Sequence, residues 1–511
     1  MQMRAILSDE KETLMSSHPL KQARDFEARY MPFIPDTDRP AFHVTGGIGW
    51  INDPNGFSTY QGEYHLFFQY HPYDVKWGPM HWGHVKTRDF IRWERLPVAL
   101  APDMPYDRDG CFSGSAVELP DGRQLLMYTG VRKQRSQDGE LLEYQTQCLA
   151  VGDGVDYVKY EGNPVLTGID LPSGSSIFDF RDPKLWREED GSYRCVVGNR
   201  AADDSGEILL FESEDAFSWR YAGVVDACRN EYGTMWECPD FFPLDGKHVL
   251  ITSPMEMAAR GLEFHAGHGV IGLIGSWDGK ARRFERERVQ SVDYGIDFYA
   301  PQTLLAPDGR RIMIAWMQNW TTSNCVPLRA RIYGEMTLPR ELAVRDGQLI
   351  QNPVRELDAY HARRTAHCGV SVCGETKLPG ISGRLLDMTV SVRPAGDTYR
   401  WFKLHIAKDD AHVTTIRYKP ADSTVRVDRS QCGIRYDVVH VREFLARAQG
   451  GAIKLRLVMD RHSLELFVND GEQAATFIIY TPESADSISF EADGAVLVDV
   501  EKFDLDFEKE V

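Results

Sequence analysis

The chain has 511 residues, enough for two large domains or about three of ordinary size. At 42% hydrophobic and 26% charged it has the composition of a globular protein, and no run of about 18 uninterrupted apolar residues offers a membrane span. A formal charge of −18 argues against binding a phosphate backbone, so neither nucleic acid nor membrane is expected as a partner.

The opening segment, MQMRAILSDEKETLMSSHPL, has no apolar h-region and no small-residue cleavage site. Nine cysteines, an odd number scattered from Cys111 to Cys432, make no disulfide framework, and both features point to a cytoplasmic protein. Residues 1–39 form a charged extension in which Ser17 and Pro19 signal a short helix over Leu20–Tyr30.

Beyond the extension, helical periodicity gives way to short alternating runs closed by turn pairs. These are Gln61-Gly62, Asp121-Gly122, Asp190-Gly191, Asp245-Gly246 and Asp308-Gly309, each followed by a strand-like run such as EYHLFFQY or RRIMIAWM. Successive turn glycines lie 60, 69, 55 and 63 residues apart. A second marker recurs in three of the units: Thr87-Arg88-Asp89-Phe90, Ser213-Glu214-Asp215 and Ser276-Trp277-Asp278. A repeat this long without helices fits a propeller blade of about four strands. Residues 40–351 hold five such units, and closing them into a ring leaves only short, protected edges. Residues 352–365, including PVRELDAYHARRT, are expected to form a helical linker. From 366 to 511 alternation returns in eight to ten short runs, from LLDMTVSVRP to AVLVDVEKFDLDF, which predicts a β-sandwich.

Counting back nine residues from each turn glycine gives Asp53, Ser113, Asp182, Glu237 and Ala300. In a propeller the first strand of each blade lines the axis, so equivalent positions near its start converge on one end of the channel. The repeat therefore gathers three carboxylates into one pocket. Each segment has an ordinary structural reading alone: Asn52-Asp53-Pro54-Asn55-Gly56 as a tight turn, Arg181-Asp182 as a surface ion pair, Trp236-Glu237 as a strand start. At matched blade positions those readings must coincide three times. Paired carboxylates are the working parts of glycoside hydrolysis, and a third can orient hydroxyls and stabilise positive charge on the ring. Calcium or magnesium is the competing occupant. However, no Asp-x-Asp-x-Asp-Gly loop is present, and Arg181 would take a cation's place. The pairs His81/His84 and His265/His268 lie in strand-like runs, where i and i+3 side chains face opposite ways. No metal or cofactor is expected.

These segments resemble glycoside hydrolase family 32, the invertases and other β-fructosidases. The likeness spans about residues 40–511 and rests on Trp50-Ile51-Asn52-Asp53-Pro54-Asn55-Gly56, Phe112-Ser113-Gly114-Ser115, Arg181-Asp182-Pro183, Trp236-Glu237-Cys238-Pro239, Asp297-Phe298-Tyr299-Ala300-Pro301-Gln302 and Gly334-Glu335-Met336-Thr337-Leu338-Pro339-Arg340. Ile51 departs from the methionine common at that position. The resemblance implies an all-β, five-bladed propeller with a C-terminal β-sandwich. It implies Asp53 as nucleophile, Glu237 as acid/base and Asp182 as transition-state stabiliser. It further implies that Asn52, Gln69, Trp77 and Ser113 hold fructose hydroxyls, that Phe112 and Trp316 form an apolar wall, and that Asp240 tunes the acid/base or touches the leaving sugar. For Trp316 core packing, and for Gln69 a satisfied polar group at a blade edge, are the plain alternatives. Arg181 is expected to hold Asp182 ionised, and Glu237, between Trp236 and Cys238, to be desolvated.

The implied substrates are sucrose and kestose-type fructo-oligosaccharides. Sucrose-6-phosphate is an alternative that needs cations at the rim, for which Lys76, Arg329 and Arg331 are available. Trp50 in the first motif resembles the hydrolytic members of the family more than the plant transferases, which implies hydrolysis over transfer, and the five-bladed arabinanases and xylosidases lack this combination of motifs. A fructosyl-binding protein without turnover is the reading from another class, since fold does not fix function; it is disfavoured because all three carboxylates are present.

Overall fold

A computed structural model describes residues 17–323, 326–327, 330–396, 398–433 and 439–508. Arg329, one of the cations named above, lies outside the described residues, as do residues 1–16 of the extension. Residues 49–353 form five antiparallel blades. Blade I comprises Gly49–Tyr60, Glu63–His71, His81–Thr87 and Glu94–Leu100, and blade II Gly110–Glu118, Gln124–Arg135, Leu141–Gly152 and Tyr157–Lys159. Blade III comprises Phe180–Arg187, Tyr193–Arg200, Gly206–Ser213 and Arg220–Ala227. Blade IV comprises Trp236–Leu244, Lys247–Pro254, Ile271–Asp278 and Arg283–Ser291, and blade V Tyr299–Leu305, Arg311–Trp316, Arg340–Arg345 and Gln348–Pro353. The first strand of each blade contacts that of the next, and blade V's contacts blade I's, so the ring closes. Ile332–Tyr333 adds a parallel strand beside Gly49–Trp50.

All five expected turn pairs join the first and second strands of a blade, and their glycines have φ from +77° to +92°, a region open to glycine at no steric cost. The second marker closes the turn between the third and fourth strands. Asp89, Asp215 and Asp278 each accept two backbone N–H bonds from residues two and three positions on. Asp153 does the same in blade II, where no Thr or Ser precedes it to give the pattern away. First strands are buried almost throughout, as in blade I, whereas outer strands such as Arg220–Ala227 face water along much of their length.

The helix begins at His18, capped by Ser17 Oγ accepting from Leu20 N at 3.3 Å. It packs on blade I through Leu20 and Ala23, with Tyr70 OH donating to Glu27 Oε1 at 2.7 Å. Among the described residues no helix is long and apolar enough to cross a membrane.

The expected helical linker over 352–365 is corrected. Only Arg355–Tyr360 is helical, as a 3-10 turn, and His361 already belongs to a strand running to Thr376. His361–Thr376 pairs along the last strand, Ser487–Leu505, whose ladder bonds outweigh the helical propensity of Ala362-Arg363-Arg364. The last strand's other edge takes Trp401–Lys408 near its start and Leu386–Pro394 further on, so the sheet parts into two layers. Between them lies a core of Val390, Leu404, Ile416, Leu455, Phe477 and Phe490.

A buried ionic network joins this domain to the propeller. His43 Nδ1 lies 2.8 Å from Asp460 Oδ2 and its Nε2 3.0 Å from Glu465 Oε1. Arg340 donates to Glu465 Oε2 at 2.6 and 3.0 Å and to Asp293 Oδ2 at 3.0 Å. Burial alone lowers the pKa of His43, but the hydrogen bonds it donates to the Asp460 and Glu465 carboxylates outweigh that and raise the imidazole to about 10. The raised group stabilises the fold below its unfolded pKa of about 6.5, and that contribution is lost as pH climbs through 10. His43→Gln is therefore expected to cost about 3–5 kcal/mol at pH 7 and to flatten the fall in stability between pH 7 and 10. Urea unfolding at several pH values checks both; an unchanged slope would contradict the charge assigned to His43.

Candidate active site

The five matched positions sit at the mouth of the ring, in or beside a β-bulge in each first strand. Strand pairing slips between Ile51 and Pro54, Phe112 and Gly114, Arg181 and Lys184, Glu237 and Asp240, and Tyr299 and Gln302. Pro183, Pro239 and Pro301 fall inside these bulges, where a residue without an N–H forfeits no ladder bond. Asp182, Cys238 and Ala300 adopt φ of +66°, +49° and +51°, which turns their neighbours toward the axis at some backbone strain. The bulges re-aim side chains from three blades at one point.

Asp53 Oδ2 accepts from Ser113 Oγ at 2.7 Å, and its Oδ1 from Asn52 Nδ2 at 3.1 Å. Asn52 is held in turn by Trp50 Nε1 at 2.8 Å. Cys238 joins the two aspartates: its Sγ lies 3.5 Å from Asp53 Oδ2 and 3.6 Å from Asp182 Oδ2, and its N–H donates to Asp182 Oδ2 at 3.0 Å. Asp182 N donates to Thr129 Oγ1 at 2.9 Å. Arg181 donates to Glu237 Oε1 from Nε at 3.1 Å and Nη2 at 2.9 Å. Tyr299 OH lies 2.7 Å from Glu237 Oε2 and 3.0 Å from Ser253 O, and its single proton serves one at a time.

One electrostatic expectation is corrected. Arg181 approaches Asp182 no closer than 3.9 Å and gives its short bonds to Glu237. Burial of Asp182 outweighs that guanidinium, and with Glu237 and Asp53 adding like charge its carboxyl is pushed up to about 7. Asp53 is likewise raised, by burial first and by Glu237 among its neighbours. Glu237, its side chain 13% exposed, is largely removed from water, and it lies against the Arg181 guanidinium and the Tyr299 hydroxyl as well as Trp236 and Cys238.

Of the other expected residues, Asn52 and Ser113 touch Asp53 directly. Phe112 meets Trp77 edge-on at 5.9 Å, and Trp77 is 40% exposed at the rim. Gln69 is buried and donates to Cys111 O at 3.0 Å, the satisfied state named above as its plain alternative. Trp316 is fully buried behind Trp50 and Trp320, at ring separations of 5.9 and 5.1 Å, so it backs the site and does not wall it. Asp240 is also corrected. It lies past the bulge with its Oδ2 3.0 Å from Lys184 Nζ and 2.6 Å from Thr303 N, facing the far end of the channel. Arg331 donates to Phe33 O at 3.2 Å and lines a cleft toward the second domain. His81 and His84 do share a strand, but His265 and His268 lie on the loop before Ile271.

Sequence reasoning assigned Tyr299 no role, marked Cys238 only as a neighbour that desolvates Glu237, and offered His268 only as half of a disfavoured metal-ligand pair. Tyr299 and Cys238 adjoin matched positions, so the repeat had marked their neighbourhood. His268, whose ring meets Tyr299 edge-on at 5.7 Å, carries no such signal.

Residues 43–353 match the family described as glycosyl hydrolases family 32 N-terminal domain, and residues 356–506 its C-terminal counterpart. A raffinose invertase of Escherichia coli is 36% identical over 462 residues, covering 89% of this chain and 92% of its own. A sucrose-6-phosphate hydrolase of the same organism is 33% identical over 471 residues, covering 91% of this chain and 94% of its own. The solved structure of a Bombyx mori GH32 beta-fructofuranosidase superposes with a TM-score of 0.81 at 32% identity, covering 95% of this chain and 98% of that one. With both halves matched, the resemblance expected from the motifs holds, and the chain belongs to glycoside hydrolase family 32.

Proposed function

We propose that the protein is a retaining β-fructosidase that releases terminal fructose from sucrose or short fructo-oligosaccharides in the cytoplasm, with residues 40–351 as its catalytic part. The observation that carries this reading is the meeting of Asp53, Asp182 and Glu237, from three blades, at one mouth, linked by Cys238 and Arg181. Asp53 attacks the anomeric carbon, and the bond to the leaving oxygen breaks as Glu237 supplies its proton, giving a fructosyl-Asp53 ester. Water then attacks that carbon, Glu237 takes the water's proton, and Asp53 is released as carboxylate. Asp182 accepts hydrogen bonds from sugar hydroxyls and opposes the positive charge of the ring at each transition state. Tyr299 and Arg181 aim the Glu237 carboxyl from both oxygens.

The names of the relatives support the substrate class, as does an aspartate-to-alanine mutant of the Bombyx mori enzyme solved in complex with sucrose. Sucrose-6-phosphate is a second reading, favoured by Lys133 Nζ, 5.5 Å from the Trp77 ring centroid at the rim. Glu143 at 3.1 Å already pairs that cation, so unphosphorylated sucrose comes first. Incubation with sucrose, sucrose-6-phosphate, kestose, inulin and levan should release fructose, most readily from the short unphosphorylated sugars, and initially as the β-anomer. Fructose from none of them would favour a binding protein, and α-fructose would exclude the covalent intermediate.

A further inference from the structure

The far end of the propeller channel opens into a cavity of about 860 Å³, lined by the second halves of all five first strands. It is separated from the carboxylate mouth. Gln302 Nε2 donates across the axis to Gly114 O at 2.7 Å, and Ser115 Oγ to Pro183 O at 2.7 Å, closing the channel between them. On the cavity's floor, Lys184 Nζ pairs with Asp240 Oδ2 at 3.0 Å and donates to Thr303 O at 2.6 Å. Asp240 is 1% exposed, and its other oxygen, Oδ1, has no partner. Arg311, stacked over Phe242 at 4.6 Å, likewise has a buried Nε–H without a partner. Trp277, 5.1 Å from Phe241, and Trp186 supply flat apolar walls.

From these features we propose that the base of the propeller is a second saccharide site, taking a neutral mono- or disaccharide. Just beneath the floor lie one unpartnered acceptor, Asp240 Oδ1, and one unpartnered donor, Arg311 Nε–H, which a hydroxyl pair satisfies once the Arg311 side chain shifts to admit it. An apolar ligand would leave both unpaired, at about 1–3 kcal/mol each. The lining carries both signs, Glu118, Glu188, Glu189 and Asp190 against Arg187, Arg194 and Arg311, with Lys184 and Asp240 paired to each other, so neither an anion nor a cation is favoured over a neutral ligand. The volume lies within the range of small-molecule sites, about 300–1,000 Å³, and far exceeds the roughly 30 Å³ of one water. Sugar rings present C–H faces that pack on aromatic walls of this kind.

The test counts sites. In an Asp53→Ala background, shown to release no fructose, equilibrium dialysis with radiolabelled sucrose should find two sucroses per chain. Arg311→Met and Trp277→Ala, separately, should each weaken one of them about tenfold and leave the other unchanged. Crystals of Asp53→Ala soaked in sucrose locate the second sugar without relying on either change. Sugar between Arg311 and Trp277 supports the site, and water alone there overturns it. A single bound sucrose indifferent to both substitutions overturns it as well, whereas a single sucrose lost on Arg311→Met would count against the mouth and not against the base.

Discussion

Replacing Glu237 by Gln is expected to lower kcat/KM on sucrose by about 10²–10⁴-fold, the usual worth of a general acid, while an aryl fructoside keeps most of its rate of bond cleavage. The amide has the shape of the acid and can still accept from Arg181 through one oxygen, so binding should hold and KM should move little. It has no proton to give a leaving alkoxide, and natural leaving groups need one. A phenolate with a low pKa leaves unaided. Because the same residue deprotonates the incoming water, the fructosyl-enzyme should accumulate on the activated substrate and show as a burst. Added azide, which needs no deprotonation, should then restore turnover and yield fructosyl azide. Equal loss on both substrates without azide rescue would remove Glu237 from the role proposed for it, and would turn attention to Asp182 as the proton source.

The architecture was legible because its period is long and its punctuation strict. Five Xaa-Gly turns, each needing φ above zero, marked the first hairpin of every blade, and three of the four aspartates that cap the outer turns were visible as a second marker. Counting nine back from those turns found the mouth because each first strand carries its bulge at nearly the same depth. The bulges themselves also had a sequence signal, the prolines at 183, 239 and 301, which cannot serve an interior ladder position. What failed was direction and magnitude. Asp240 follows Glu237 by three residues, but only coordinates show that the bulge ends between them and sends it down the channel to Lys184. Adjacency made Arg181 the natural partner of Asp182, yet the guanidinium stays 3.9 Å from that carboxylate and gives its short bonds to Glu237, 56 residues away. His361–Thr365 has helical composition and is a strand, because a long edge was waiting for it.

That misjudged pairing leads to the second large effect. Asp182→Asn is expected to reduce turnover by about 10²–10³-fold, the scale of removing one preorganised electrostatic group, and at the same time to stabilise the fold. Burial dominates this carboxyl. The Cys238 N–H at 3.0 Å and the guanidinium at 3.9 Å do not offset it, and the group's folded pKa of about 7 stands above an unfolded value near 3.8. Between those two values the folded chain binds more protons than the unfolded one, so the wild type loses stability as pH rises through that window. Asparagine has no charge to bury and keeps an oxygen to accept from Cys238. Variant and wild type should therefore have similar urea midpoints near pH 4, and the variant should pull ahead progressively until about pH 7, beyond which the gap stays constant. A variant less stable than the wild type at pH 8, or offset by the same amount at every pH, would mean that the Cys238 and Arg181 contacts do balance the burial of Asp182. In that case the site holds its charge at rest without strain, and catalysis draws nothing from a destabilised carboxylate.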